Sequence, residues 1–233
     1  MMMDFDWAKI GYIASVWVLP VMFAVTFHEA AHGWVAWRLG DPTARMLGRV
    51  TFNPLKHIDP FGTVILPAML LLGSGGRMMF GFAKPVPVDF RRLGNPRRDM
   101  VLVAIAGPGS NLALALVSAA LMHAVVFATG DFRDWLGQNL LNSIWINYLL
   151  CVFNMLPLPP LDGGRVAVGL LPPKLGIRLA RLERASIVIL LIVVFLLPFL
   201  GSRLRLDLNI FWWLVGRPAE YFMNGVLTAF GIW

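Results

Sequence analysis

The chain has 233 residues, 58% of them hydrophobic and 14% charged, with a net charge of +7 and a mean hydropathy of +0.70. That composition excludes an ordinary soluble domain and places the chain among membrane proteins. No helix-turn-helix or RNA-binding signature accompanies the basic charge, so no nucleic-acid partner is expected, and a single cysteine, Cys151, excludes a disulfide framework.

The first predicted element is an apolar run over residues 10–39, closed by the interfacial anchors Trp34, Trp37 and Arg38. Asp4 and Asp6 precede it and it carries His28-Glu29-Ala30-Ala31-His32, so it reads as a retained span and not as a cleaved leader. With four histidines and the glutamates Glu29, Glu183 and Glu220, an H-E-x-x-H box arises by chance in roughly one such chain in a thousand. Helical spacing sets His28 and His32 one turn apart on one face, as two ligands of a tetrahedral zinc require. Glu29 lies between them, placed to take a proton from an activated water. Counting back from Arg38 at 1.5 Å per residue, the histidines lie roughly 9–15 Å below the interface.

Residues 61–72 are apolar but too short for a span and are interrupted by Pro67, which predicts a re-entrant element. Residues 78–88 hold Pro85 and Pro87 and read as an edge strand. His57 and Asp59, among charged residues, are expected to face water. Further spans are predicted at 100–129, 140–156 and 185–200. Within the first of these, Gly107, Pro108 and Asn111 read as close helix packing, and His123 lies near the outer end, away from the box. Residues 174–184, KLGIRLARLER, read as an interfacial basic helix. The tail over 208–233 is apolar but broken by Arg217, Pro218 and Glu220, and either crosses or lies along the interface.

Fifteen of the twenty basic residues fall in 38–56, 77–98 and 165–184, which the positive-inside rule assigns to the cytoplasm. The loop 130–137, with Asp131 and Asp134, falls outside. Residues 61–72 then cannot cross fully, the N-terminus is external, and the histidines lie toward the cytoplasmic side of the cell membrane.

Two histidines leave a zinc site incomplete. The third ligand predicted is Asp162, in the stretch Asn154-Met155-Leu156-Pro157-Leu158-Pro159-Pro160-Leu161-Asp162-Gly163-Gly164-Arg165. Its prolines end the preceding helix, and Gly163 and Gly164 would let the chain turn sharply beside a metal. An aspartate at membrane depth requires a partner, and a cation supplies one.

The HEAAH box paired with NMLPLPPLDGGR resembles the site-2 protease family of intramembrane zinc metalloproteases. Gly81-Phe82-Ala83-Lys84-Pro85-Val86-Pro87-Val88 and Ala106-Gly107-Pro108-Gly109-Ser110-Asn111 are similar to further family landmarks, in the family's order, so the resemblance runs over about residues 20–170. It implies one Zn2+ per chain held by His28, His32 and Asp162, with Glu29 as catalytic base and Asn154 contacting the substrate or transition state. It also implies regulated intramembrane proteolysis, the substrate being a membrane protein with a transmembrane helix that unwinds and pairs with the 78–88 strand at Phe80, Gly81 and Phe82. The chain leaves no room for a PDZ or CBS domain. The expected fold is an all-α polytopic membrane protein of five to six membrane helices or re-entrant segments, with a small strand or loop element beside the active site. It forms a single domain over 1–233, with a core over 10–171 and C-terminal membrane segments over 174–233. Two rival readings are a noncatalytic zinc-binding scaffold or zinc-handling protein, which would have no need of Glu29, and a CAAX-type membrane protease, whose third ligand is a later glutamate. The later glutamates Glu183 and Glu220 are poorly placed for that role.

Overall fold

The computed structural model describes residues 6–65, 69, 81 and 83–232. Every regular element among them is helical, and three helices are long and apolar enough to cross a membrane: Gly11–Arg38, Pro96–Phe127 and Glu183–Leu204. The protein is an all-α polytopic membrane protein.

Helix α1, Trp7–Arg38, begins at Asp6, whose carboxylate accepts the Lys9 amide at 3.0 Å. It stops at Gly40, whose φ of +113° a side chain would resist. Helix α2, Pro96–Met122, opens with a reciprocal cap: Asn95 accepts the Arg98 amide while Asp99 accepts the Asn95 amide at 2.7 Å. Then follow α3 (Gly130–Asn154), α4 (Asp162–Leu170), α5 (Pro173–Arg181), α6 (Glu183–Leu204) and α7 (Arg217–Ala229).

Helices α1, α2 and α3 pack mutually; α4 lies on α2, and α7 on α3. Ala115 and Ala119 of α2 let α3 approach closely, and with Ile144, Tyr148, Ala219, Val226 and Leu227 they form one buried cluster. Phe23, Leu116, Val117, Ile187, Val188 and Leu191 point outward as the apolar surface lipid requires.

Three turns are widened to i→i+5 bonding, Pro60–Ile65, Ile192–Leu196 in α6 and Trp212–Gly216 ahead of α7. The last two lie just before a proline, Pro198 and Pro218. A proline ring collides with the carbonyl four residues earlier and offers it no N–H, and a widened turn moves that carbonyl aside.

Several expectations are corrected. Residues 130–137 are not a loop but the first two turns of α3. Gly130, at φ +57°, completes the reversal after Thr129, and 25 residues rise about 37 Å, more than the hydrocarbon thickness. His57 does not face water. It is 2% exposed, with Nε2 donating to Thr51 O at 3.0 Å and its carbonyl accepting the Lys84 amide at 3.0 Å. Asp59 is half-buried and accepts the Gly62 amide at 2.7 Å. Gly163 and Gly164 do not turn the chain either. Both are helical, and each lacks a Cβ because loop backbone occupies its place: Met155 O would be 2.2 Å away at the first, Pro159 N 2.3 Å at the second. Residues 81 and 83–88 run as loop, with no paired strand among the described residues. Half of the 61–72 segment, residues 66–68 and 70–72, and residues 78–80 and 82 within 78–88, Phe80 and Phe82 among them, lie outside the described residues.

Candidate metal centre

One turn of α1 sets the His28 and His32 rings 4.6 Å apart at 85°. Both are buried, and α2 makes room for them: a Cβ on Gly107 would sit 2.4 Å from His32 Nε2 and 2.6 Å from His28 Cε1. Each ring is held from α2 by its Nδ1 atom, His32 at 2.7 Å from Val103 O and His28 at 2.6 Å from Asn111 Oδ1. The two Nε2 atoms lie 3.0 Å apart.

Asp162 arrives as the first residue of α4. That helix is fixed on α2 by Arg97, which donates to Gly169 O at 2.7 Å and to Leu171 O. Gly169 packs where Val101 leaves no space for a Cβ. The loop over 155–161 folds back on Gly163 and Gly164 and presses the Asp162 carboxylate inward. Its Oδ2 lies 3.2 Å from His28 Nε2 and 3.3 Å from His32 Nε2, with the Arg165 guanidinium 3.8 Å from Oδ1.

Asp162 is 4% exposed and its Oδ2 accepts no hydrogen bond. A buried carboxylate oxygen without a donor is costly, and a cation removes that cost. Tetrahedral zinc with bonds of about 2.0–2.1 Å spaces its ligand atoms about 3.3 Å apart. The observed separations of 3.0, 3.2 and 3.3 Å match that spacing, and two imidazoles with one carboxylate leave a fourth position open, as in catalytic sites. These three residues are the one group among the described residues able to hold a metal ion. They fit zinc.

Glu29 points from an adjacent face of α1 toward the strap over 83–89. Its Oε2 accepts the Val86 amide at 2.7 Å, which leaves Oε1 without a partner among the described residues. The strap is pinned along its length: Arg49 donates to Lys84 O at 2.6 Å, Lys84 donates to His57 O, and Asp89 donates to Asp41 Oδ2 at 2.7 Å. Gly33, one turn beyond Glu29, lets α1 approach Val50 and Val86.

His28, Glu29, His32 and Asp162 thus converge from positions 134 residues apart at the extremes. Asn154 stands at the end of α3, half-buried, with its amide donating to Leu150 O at 3.0 Å, and bonds to none of the four. Gly81 is exposed loop. Two contributors escaped the reading of the sequence, Asn111 on His28 and the Val86 amide on Glu29. A lone amide within an apolar helix was the signal for the first; a main-chain donor gives no sequence signal.

The model of peptidase family M50 matches residues 16–141, which includes the histidine box and α2 and ends before Asp162. Relatives bearing the name "Putative zinc metalloprotease" include YwhC of Bacillus subtilis strain 168, 43% identical over 196 residues, with 79% of this chain and 81% of YwhC covered. Rip2 of Mycobacterium tuberculosis strain H37Rv is 33% identical over 199 residues, with 81% of this chain and 71% of Rip2 covered. The "Regulator of sigma-E protease RseP" of Escherichia coli K12 is 27% identical over 151 residues, with 61% of this chain and 31% of RseP covered. No solved structure matches the chain. With the family model covering more than half of the chain and a 43% identical relative aligned along most of it, this protein belongs to peptidase family M50, the site-2 protease family of zinc metalloproteases.

Proposed function

We propose that the protein hydrolyses peptide bonds in or beside the transmembrane segments of membrane-protein substrates, as a step of regulated intramembrane proteolysis in the cell membrane, with one zinc ion per chain. The observation that carries this reading is the convergence of His28 Nε2, His32 Nε2 and Asp162 Oδ2 beside a carboxylate, Glu29, held by a main-chain donor. His28, His32 and Asp162 would hold the ion. When bound, zinc supplies a Lewis acid that acidifies water and polarises a carbonyl. The Val86 amide fixes one oxygen of Glu29 and leaves the other to accept a proton and later deliver it to the leaving amine. A scaffold or zinc-handling protein has no use for a carboxylate so held.

The centre lies toward the cytoplasmic side, within a single domain that the whole chain forms. Substrate is assigned to the segment over 78–88 and to Asn154, which stands where α3 gives way to the loop leading to Asp162. Pro85 and Pro87 keep Lys84 and Val86 out of the helical region, and the amides of Lys84 and Val86 are already engaged toward the protein. The edge left to a substrate strand therefore offers carbonyls at Pro85 and Pro87 and no N–H there.

The purified chain, tested against a panel of single-pass membrane proteins, should cleave some of them, while Glu29→Gln retains zinc and loses about 100-fold or more in rate. Equal rates for the two proteins would refute the hydrolase reading.

A further inference from the structure

Asn111 is wholly buried in the middle of α2, 83 residues from His28 in sequence, and engages three elements at once. Its Nδ2 lies 3.2 Å from Ala24 O of α1 and 2.8 Å from Asn147 Oδ1 of α3, and its Oδ1 lies 2.6 Å from His28 Nδ1. The directions of these bonds are determined. A main-chain carbonyl only accepts, so the amide end facing Ala24 O is the NH2 group and the end facing His28 is oxygen. Asn147 is oriented by the same logic: its Nδ2 lies 2.8 Å from Ser143 O, which turns its oxygen toward Asn111. Two independent carbonyls, on α1 and on α3, therefore aim the chain of amides the same way. His28 Nδ1 must donate, and in the neutral ring Nε2 then carries the lone pair.

We propose that Asn111 is the positioning residue of the metal centre: it holds His28 in the Nδ1–H tautomer and orientation that present Nε2 to zinc, and Asn147 keeps the Asn111 amide from flipping. The proposal rests on the reading of His28, His32 and Asp162 as zinc ligands. His32 receives the same service from Val103 O, a main-chain group that no substitution removes. His28 depends on a side chain, and it lies where burial lets no water replace the lost acceptor. A flipped amide would turn NH2 toward Nδ1, favour the other tautomer and place a proton on the atom that zinc needs. Partners of this kind typically govern metal affinity by 10–100-fold.

The test uses the full chain in detergent, with Zn2+ titrated against a competing chelator and Co2+ as a spectroscopic probe. Asn111→Leu, with the same branched shape but without the acceptor, should bind Zn2+ about 10–100-fold more weakly and shift the visible Co2+ bands. Asn111→Asp restores an oxygen toward His28 and should recover affinity to within a few-fold of the parent, a rescue that a packing role does not produce. Asn147→Leu should fall between them. If Asn111→Leu does not fold, the comparison of Asn147→Leu with Asn111→Asp decides. Wild-type affinity and an unchanged Co2+ spectrum in a folded Asn111→Leu, or in Asn147→Leu where the former does not fold, would overturn the proposal. Asp162→Ala and His28→Ala are run beside them: Zn2+ binding unaffected by either would instead refute the ligand assignment itself.

Discussion

Helices α1 and α2 on one side and α6 on the other are all long and apolar enough to cross a membrane, and α6 is the most hydrophobic of the three. They differ in what they bury. The first two turn Thr26, His28, His32, Asn111 and Ser118 inward; α6 buries Ser186 and leaves most of its length outside the protein. Hydropathy thus ranks spans by their comfort in lipid and is silent on their function. Function follows the polar atoms that a span turns inward and bonds, since lipid offers them no partner.

The contrast can be tested at its sharpest point, Gly107. Gly107→Ala drives a Cβ into both imidazoles, so zinc affinity should drop at least tenfold and stability by about 1–3 kcal/mol, read by metal titration and thermal unfolding in detergent. Retention of both would mean that α1 and α2 are not in contact at the histidines.

Val86→Pro removes the donor to Glu29 without touching a metal ligand. Proteolysis should fall about tenfold with zinc content intact, a loss of roughly 1.4 kcal/mol in transition-state stabilisation. A coincident loss of zinc would show that the strap supports the ligands as well as the base.

Asp41, buried just beyond α1, offers a milder test outside the membrane. Burial pushes its carboxyl up, but the Thr43 hydroxyl, the amides of Thr43 and Asp89 and the Arg92 charge outweigh this and hold it below the usual carboxylate range. Asp41→Asn should cost about 1–3 kcal/mol at neutral pH. A carboxyl lowered in the fold contributes fully above its unfolded value, about pH 4, and loses that contribution as pH falls through the folded value. The gap between the two proteins should therefore close in acid; a gap constant down to pH 2 would deny the carboxylate its role. At the small end, Val188→Ala on the outward face of α6 should change stability by less than about 0.5 kcal/mol.

The grouping of the candidate ligands was legible because a helix has a known period: His28 and His32 must share a face whatever surrounds them. Asp162 was legible because prolines and glycines beside a lone acid at membrane depth have few other uses. The reason for Gly163 and Gly164 was misread, since a sequence does not distinguish a glycine that turns the chain from one that yields to a neighbouring backbone. Asn111 was read as packing because its partner lies 83 residues away. His57 looked solvated among charges, yet its place is fixed by Thr51 and Lys84, contacts that only folding creates. The start of α3 was hidden by its acidic first turns, which are helical all the same.

Helix α3 has a further consequence for biogenesis. It is long enough to cross but absent from the three helices apolar enough to do so by themselves. Its inward face carries Asn139, Asn142 and Asn147, buried in the finished protein, with Asn142 donating to Val16 O of α1 and Asn147 accepting from Asn111 of α2. Before those partners are in place, the Asn142 NH2 group and the Asn147 oxygen would lose the bonds they make to α1 and α2, while Asn139 and the Asn147 NH2 group keep theirs to Trp135 O and Ser143 O within α3. Residence of α3 in the bilayer is therefore conditional on α1 and α2 having entered first. The Asn111–Asn147 bond ties that step to the metal centre, since the amide that α3 meets on α2 is the one bonded to His28, and a chain whose first two helices are misplaced should hold α3 less firmly in the bilayer.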